Sequence, residues 1–555
     1  MHSATVQTAL LALVAISCRL ISLAATATEA TATEATAAVD DSEEHTYGVI
    51  VNCGSSGTRA HIYQWLTRLD YPELLHHIVP MTGANGKPLT YDIGHKGLST
   101  VSPHPQDAIE YMKPLLDFIR DNIPKHRHSF TGVYIMATAG MRLLDEEEQD
   151  EIMSLLKNYI EQNYDFKIVS TDVISGADEG KYQWISLNSK AKRFLNKNID
   201  PKKMKTFAVF EMGGASLQVT YQLSNAMYRS IAIDFSDKHL RELFKSQITQ
   251  PSISRGEPTS RGVIQRGFLH KKDQNLATRD SEHFYRLYST TFLGFGSNSI
   301  REAHHDLLIR DHLFNKFNHF RQTVKSSFKC LRPKSNHASC SKLLVKDPCI
   351  PVGHSEIIVR PEEILSKLAS KTIGYTPIEE DEKTVNITIE GAGNYDKCRQ
   401  TVIRLLHVAK SEKFNCESSE PCAMSLIGVP FIQFERLNVK AIGDFFYTTA
   451  NRMIDLSGRY NHRAMVKKTE AICETPYDRL AEKYPDANCA KDMTRLYTEC
   501  FKAVWVDTFL TKALRMPRDY RSLETAASIN GQSLDWTLGA MIDKSAAIEQ
   551  YEKTN

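Results

Sequence analysis

The sequence predicts an α/β protein of two lobes facing each other across a cleft, and three observations predict it. A glycine-looped hairpin occurs twice, as VIVNCGSSGTRAHIYQW from Val49 to Trp65 and as FAVFEMGGASLQVTYQL from Phe207 to Leu223. Each copy runs from an apolar β-type stretch through one polar residue and a small-residue loop into a second alternating stretch. Strands alternate with helices between the copies, and a repeated unit argues that each half of the molecule carries the same architecture. The 555 residues are long for a single core and natural for two lobes.

The chain opens on TALLALVAIS, Thr8 to Ser17, an apolar run too short to span a membrane comfortably. Arg19 interrupts it and Ala24, Ala25 and Thr26 follow, so residues 1–25 read as a secretory signal peptide or as an uncleaved signal anchor that includes Leu20 to Leu23. Residues 26–46 are a Thr/Ala/Glu low-complexity stretch that cannot bury a core and reads as a stalk.

After the first hairpin, VYIMATAGMRLL from Val133 to Leu144 reads as a strand ending in small residues and Arg142. The acidic run DEEEQDEIMSLLKNYI then suits a helix whose carboxylates sit at its N-terminus. KIVSTDVISGADEGKYQWISLN, Lys167 to Asn188, reads as a strand, a turn at Ser175-Gly176, and an amphipathic helix opened by Asp178 and Glu179. Beyond the second hairpin, Glu282 to Ala303 reads as helix, glycine turn, helix, and SLDWTLGAMIDKSA, Ser533 to Ala546, as a turn and a final helix. Lobe I is assigned to 47–170 plus 517–555, and a disulfide-bearing lobe II to 171–516.

Composition excludes some functions. A hydrophobic share of 42% with 24% charge is that of a soluble globular chain, and a net charge of +2 calls for neither nucleic acid nor an anionic membrane. The basic runs between Ser189 and Lys205 read as solvated loops. Nine of the eleven cysteines lie between Cys330 and Cys500, a clustering expected of disulfides in an oxidising lumen. Zinc is the rival reading, although no CxxC pair occurs. Asn386-Ile387-Thr388 is an N-glycosylation acceptor and agrees with a secretory route.

The loops carry the chemistry. Gly54, Ser55, Ser56, Gly57 and Thr58 offer backbone N–H groups with little side-chain obstruction, as do Gly213, Gly214, Ala215 and Ser216. Such N–H groups cradle phosphate, and two loops across a cleft clamp adjacent phosphates of one chain. Either loop alone also reads as a plain β-turn; repetition in matched strands favours the ligand. Glu179 is the candidate base for an attacking water, or equally a carboxylate favouring a helix dipole. Ser216 and Gln218 either orient that water or are polar residues on a strand face. Asn52 and Glu211, at the ends of the two first strands, offer oxygens that hold a divalent cation through water, because Mg²⁺ dehydrates reluctantly.

Five segments, VNCGSSGTR at 51–59, ATAGMR at 137–142, SGADEGKYQW at 175–184, EMGGASLQ at 211–218 and DWTLGAM at 535–541, resemble the conserved regions of the nucleoside triphosphate diphosphohydrolase family. This apyrase or GDA1/CD39 family belongs to the actin, Hsp70 and sugar-kinase superfamily, and the likeness runs from about Tyr47 to Lys544. It implies a two-lobed actin/Hsp70/hexokinase-like (RNase H-like) fold with the active site between the lobes, and a hydrolase of the intracellular Golgi and lysosomal branch. Residue by residue, it implies that Ser55 to Thr58 and the neighbouring Gly54 and Arg59 hold one phosphate and Gly213 to Ser216 another. Glu179 becomes the base, Ser216 and Gln218 position water, Thr138 and Arg142 line or brace the cleft, Tyr447 stacks on the base, and Trp536 is a second aromatic candidate or, equally, a core residue. The resemblance also implies Ca²⁺ or Mg²⁺ as cofactor and a nucleotide, with no nucleic acid, as partner. A membrane enters only through the N-terminal anchor. Its cysteine pattern implies Cys349–Cys398, Cys416–Cys422, Cys473–Cys500 and Cys330–Cys340, with Cys489 left over.

Two departures matter. The family has Asp at both strand ends, where this chain has Asn52 and Glu211. Asn keeps an acceptor but removes a charge, while Glu keeps the charge and reaches one methylene further. A loss of about two to three kcal/mol in cation or transition-state binding slows turnover roughly a hundredfold. The chain therefore reads as an endomembrane nucleoside diphosphatase or, alternatively, as a nucleotide-binding homologue with impaired chemistry. A cytosolic sugar-kinase or actin-like protein suits neither the signal nor the cysteines.

Overall fold

The computed structural model describes residues 45–67, 77–94, 96–194, 206–223, 263–267, 285–316, 343–361, 384–413, 432–485 and 495–554. The N-terminal run, residues 26–44 of the stalk, and cysteines 330, 340, 416, 422 and 489 lie outside these residues; His45 and Thr46, assigned to the stalk, instead open the first strand, where Thr46 is buried by its pairing with Trp65. Among the described residues no helix is long and apolar enough to cross a membrane.

The first sheet holds β1 His45–Gly54, β2 Gly57–Leu66, β3 Val79–Pro80, β4 Thr90–Gly94, β5 Gly132–Ala137 and β6 Ile168–Val173, in the order β3-β2-β1-β5-β6 with β4 on β2. β1 and β2 are antiparallel, whereas β5 and β6 join in parallel through crossover helices α1 Asp107–Asn122 and α2 Glu146–Asn163. The acidic start of α2 folds as a capping box: Asp145 caps the first turn, and Glu148 accepts from the Asp145 N–H at 3.2 Å. Alternation sets the layers. Val49, Val51, Ala60 and Ile62 pack with Met112, Leu115 and Leu156 on one face, while Ile50, Tyr63 and Trp65 face the middle of the molecule.

The second sheet repeats the plan with β7 Ala208–Met212, β8 Ser216–Gln222, β9 Val263–Gly267 and β10 Tyr285–Leu293. A third, three-stranded sheet holds β11 Leu343–Asp347, β12 Ser355–Pro361 and β13 Thr384–Gly391, in the order β11-β13-β12. The second sheet is completed by β14 Val439–Gly443, β15 Gly458–Arg459 and β16 Leu523–Thr525, in the order β15-β16-β14-β7-β8-β10-β9. Helices α3 Gly176–Lys190, α4 Ser297–Lys316, α5 Tyr395–Lys413, α6 Asp444–Ala450, α7 His462–Glu474, α8 Tyr477–Lys483, α9 Arg495–Thr508 and α10 Thr537–Thr554 follow in chain order. Disulfides Cys349–Cys398 and Cys473–Cys500 tie the start of α5 to the turn after β11, and α7 to α9. This is the two-lobed, actin-like arrangement that the sequence predicts.

Helices α3 and α10 lie between the two main sheets, held close by glycines. A Cβ on Gly176 would stand 2.3 Å from the Thr291 side chain, and one on Gly180 would stand 2.5 Å from Thr220 Oγ1, so α3 sits flush on β10 and β8. A Cβ on Gly48 or Gly132 would likewise meet Met541 or Ile548, at 2.5 and 2.7 Å. The pair meets where a Cβ on Gly539 would lie 1.9 Å from Tyr182 O.

Several sequence expectations are corrected. Residues 285–293 form a strand: the aromatic and β-branched run pairs with β8 from Leu287↔Gln222 to Leu293↔Ser216. The helix α3 is buried on nearly every side, because one face meets the second sheet and the other meets α10. Residues 517–533 do not join the first lobe, since β16 pairs in parallel with β14 and only α10 returns to β1. β6 extends to Val173, so the chain leaves the first sheet a few residues beyond position 170.

Glu499 in α9 is buried with Oε1 unpartnered, and burial pushes its carboxyl up to about 8 against the opposing pull of Lys502 and Arg495. A carboxyl raised on folding contributes stability that is complete below the unfolded carboxylate value and is lost as pH rises toward 8. Glu499→Gln is therefore expected to match the wild-type Tm near pH 5 and to exceed it above pH 8, because the natural chain then bears the cost of a buried charge that the amide lacks. Thermal denaturation across that range checks it; a gap independent of pH refutes it.

Candidate active site

The two hairpins meet tip to tip. In the first, Asn52 pairs with Arg59 and Gly54 with Gly57 around Ser55-Ser56; in the second, Glu211 pairs with Gln218, and the Gly213 N–H donates to Ser216 O at 2.9 Å. A Cβ on Gly214 would lie 3.0 Å from Ser55 Oγ and 3.3 Å from Ser56 Oγ, so only a side-chain-free backbone leaves a gap between the loops. Gly140, in the ATAGMR turn, backs the first loop, its added Cβ standing 2.9 Å from Ser55 Cα. Thr138 fastens the same loop, its N–H and Oγ1 reaching Cys53 O at 3.1 and 3.3 Å.

Four polar side chains converge beside the second loop. Arg142 Nη2 donates to Glu179 Oε2 at 2.8 Å and to Ser216 Oγ at 3.4 Å, while its Nη1 holds Ile174 O at 2.8 Å. Gln218 Nε2 donates to the same Glu179 oxygen at 3.0 Å and to Ser216 Oγ at 2.7 Å. Glu179 stands there because Ser175 caps α3, its Oγ accepting from the Asp178 N–H at 3.1 Å. The helix start thus aims Glu179 at the second hairpin, and β8 presents Ser216 and Gln218 on one face by its two-residue period.

Beneath the loops lie two unsatisfied oxygens. Asn52 Oδ1 and Glu211 Oε2 are buried without a hydrogen-bond partner, at matching ends of β1 and β7. Burial first, then Glu179, then Asp535 raise the Glu211 carboxyl well above the ordinary carboxylate range. A cation and its waters satisfy such oxygens, so the residues present fit a water-held divalent ion. Asp535 is an anion: although burial opposes it, Lys190, His61 and Thr537 hold its carboxyl down at about 2, with Lys190 Nζ 3.6 Å away.

The remaining expected residues divide. Thr58 is buried and accepts from Tyr111 OH at 2.9 Å. Arg59 turns away from the cradle, its Nε donating to Asp92 at 2.8 Å with 60% of the side chain exposed. Tyr447 is 52% exposed on α6, the helix that follows β14 beside β7, and so offers an open ring, set edge-on to Phe446 at 5.6 Å. Trp536 does not: it is 2% exposed and stacks on Tyr182 at 6.3 Å, because the α3–α10 contact needs an apolar filler. Sequence reasoning missed Asn298, whose Nδ2 would lie 3.1 Å from a Gly214 Cβ and so faces the gap between the loops. The GFGSN turn opening α4 was its only signal. Cys53 is buried, and burial pushes its thiol up to about 12. His304, Asp347 and Cys349 also bring ligand-type atoms together, but Cys349 is held in a disulfide and has no thiolate to give.

The GDA1/CD39 (nucleoside phosphatase) family model matches residues 38–248 and 258–554. The chain belongs to the GDA1/CD39 family. It is 28% identical over 518 residues to ectonucleoside triphosphate diphosphohydrolase 7 of Xenopus tropicalis, covering 90% of this chain and 73% of that one. It is 26% identical over 520 residues to nucleoside-diphosphatase mig-23 of Caenorhabditis elegans, covering 91% and 78%. Among solved structures, a nucleoside triphosphate hydrolase from Neospora caninum shares the fold, with a TM-score of 0.53 at 15% identity over 92% of this chain and 94% of that one. As a GDA1/CD39 member the chain is a hydrolase of the nucleoside phosphatase class.

The facing loops in this GDA1/CD39 cleft depend on Gly296, where a Cβ would stand 2.4 Å from Ala215 N and from Gly214 C. Overpacking of this kind costs about 1–3 kcal/mol. Gly296→Ala is expected to lower both Tm and kcat/KM for a nucleoside diphosphate, while Gly94→Ala, which meets nothing within 4 Å, leaves both unchanged. Equal effects of the two substitutions refute the dependence.

Proposed function

We propose that the chain cuts nucleoside diphosphates, UDP and GDP, to monophosphate and phosphate, and triphosphates by the same displacement. The compartment is the secretory pathway, the Golgi lumen. The observation that carries this reading is the tip-to-tip approach of two amide-rich loops, with Glu179, Arg142, Ser216 and Gln218 at one end of the gap. In that compartment the reaction removes the diphosphate product of glycosyl transfer. The two disulfides support an oxidising lumen.

In this reading Gly54 to Thr58 hold one phosphate through backbone N–H groups, and Gly213 to Ser216 hold the terminal one. Asn298 adds a side-chain amide from the start of α4. Tyr447 stacks on the base from the rim. Glu179 accepts the proton of the attacking water; the water oxygen joins the terminal phosphorus, and the bridging oxygen leaves with the monophosphate. Ser216 Oγ already accepts from Arg142 and Gln218, which leaves its own O–H to donate toward that water or a phosphate oxygen. Arg142 positions Glu179 and ties it to Ile174 O, so it braces the site. Asn52 and Glu211 hold Ca²⁺ or Mg²⁺ through waters. The bound cation neutralises phosphate charge.

Asn52 sets the rate. Glu179→Gln is expected to lower phosphate release from UDP by about 10²- to 10⁴-fold while nucleotide binding persists. Asn52→Asp restores a carboxylate and is expected to raise kcat by up to roughly a hundredfold. Phosphate release with Ca²⁺ or Mg²⁺, with chelator as control, and equilibrium nucleotide binding check both. Binding without turnover in the natural chain, with turnover appearing only in Asn52→Asp, establishes the impaired homologue instead; no binding in either sinks the nucleotide reading.

A further inference from the structure

The third sheet has one face built in and one turned out. Inward, Val385, Ile387 and Ile389 of β13 pack with Leu343, Val345 and Ile358 against Ile309 of α4. Outward, Leu344 is 42% exposed, Ile357 67% and Val359 39%, three of the six large apolar side chains exposed among the described residues. β13 is the central strand, and its outward residues in this patch are Asn386, which is exposed, and Thr388. Register puts them inside it: Val359 pairs with Asn386, while Thr388 has Ile357 on one side and Leu344 on the other. Asn386-Ile387-Thr388 is the chain's one Asn-X-Ser/Thr triplet.

We propose that Asn386 carries an N-linked oligosaccharide whose first sugars lie over Ile357, Val359 and Leu344 and cover this face. The proposal rests on the lumenal compartment of the reading above, though not on its chemistry. The step is a substitution at the anomeric carbon of a lipid-diphosphate-linked oligosaccharide. The Asn386 amide nitrogen forms the new C–N bond, the C–O bond to the diphosphate breaks, and the amide proton leaves with the lipid diphosphate. No electron changes hands.

The chemistry of the patch suits a sugar. A pyranose presents C–H groups on one face and hydroxyls at its rim, so it packs on aliphatic side chains and keeps its polar atoms in water. Apolar area covered this way contributes about 25 cal/mol per Å². The polar end of the patch is already in place, with Lys346 Nζ 2.7 Å from Glu390 Oε1 on the same outward faces of β11 and β13. The occupant also answers a hazard. β11 and β12 are the edges of the sheet, and an exposed apolar edge strand such as Ser355–Pro361 is a template for pairing with another chain. A polar cover attached at the centre of the patch blocks that approach without burying any charge.

The test uses the full chain made in a secretory eukaryotic cell. Enzymatic release by an amidase that converts glycosylated Asn to Asp is expected to remove one glycan-sized step of gel mobility and to leave the acid mass shift at position 386. Asn386→Gln and Thr388→Ala are expected to lose that step and Thr388→Ser to keep it. Removing the glycan from the folded protein is expected to raise hydrophobic-dye fluorescence and the rate of aggregation, and the double variant Ile357→Lys, Val359→Thr to cancel both rises. An unmodified Asn386 in the exported protein overturns the proposal. So does a glycan whose removal moves neither dye nor aggregation, and so does an untreated protein that is a dimer sealed through Ile357, because a second copy then covers the face. A glycosylated protein that releases no phosphate from UDP supports this proposal and counts only against the diphosphatase reading.

Discussion

The whole cleft depends on how closely two helices approach two sheets. α3 rests on the second sheet through Gly176 and Gly180, α10 rests on the first through Gly48 and Gly132, and the pair meet at Gly539. These contacts replace side chains with backbone, so the distance between the lobes is set by hard-core contact, which varies little. Longer spacers at these points would move the GSSG and GGAS loops apart by the width of a methyl group or more. The same helix pair delivers chemistry: α3 begins at the residues that carry Glu179, and the turn before α10 carries Asp535.

Charge in the cleft is arranged around a surplus of carboxylates. Glu179 is balanced by Arg142 and Asp535 by Lys190, each pair with little exposure. Glu211 has no such partner and carries the burden as a raised carboxyl. A carboxylate at position 52 would add one more negative charge at the end of the matching strand, so Asn52 eases repulsion in the resting protein while leaving less attraction for a cation. This trade between resting repulsion and attraction for positive charge is what an amide at position 52 brings to the cleft.

Much of the fold was legible because it is written locally. Period-two alternation marked both hairpins, and the acidic run from Asp145 and the carboxylates Asp178 and Glu179 marked helix starts, which the structure realises as caps through Asp145 with Glu148 and Ser175 with Asp178. What failed was decided at long range. Tyr285 to Leu293 has enough mixed apolar character to pass as a helix, and its pairing with β8, some seventy residues earlier in sequence, makes it a strand. Trp536 could be read as a base platform or as core, and only its neighbour across the molecule, Tyr182, decides for core. β16 is three residues long and has no period to read, so sequence alone puts the return of the chain to the first sheet too early. Asn298 reaches the gap between the GSSG and GGAS loops only because a turn after β10 folds against Gly214 and Ala215, a contact no spacing announces.

Cys53 sits one residue before the GSSG loop, buried, with its thiol pushed up to about 12. Exchange with a disulfide needs a thiolate with access to sulfur, and this residue has neither in the folded first lobe. Packed in the first lobe's core with Met112, Leu115 and Leu156, Cys53 is kept out of exchange with Cys349–Cys398 and Cys473–Cys500. The strand that leads into the GSSG loop thus shelters the one free thiol among the described residues from the crosslinks of the other lobe.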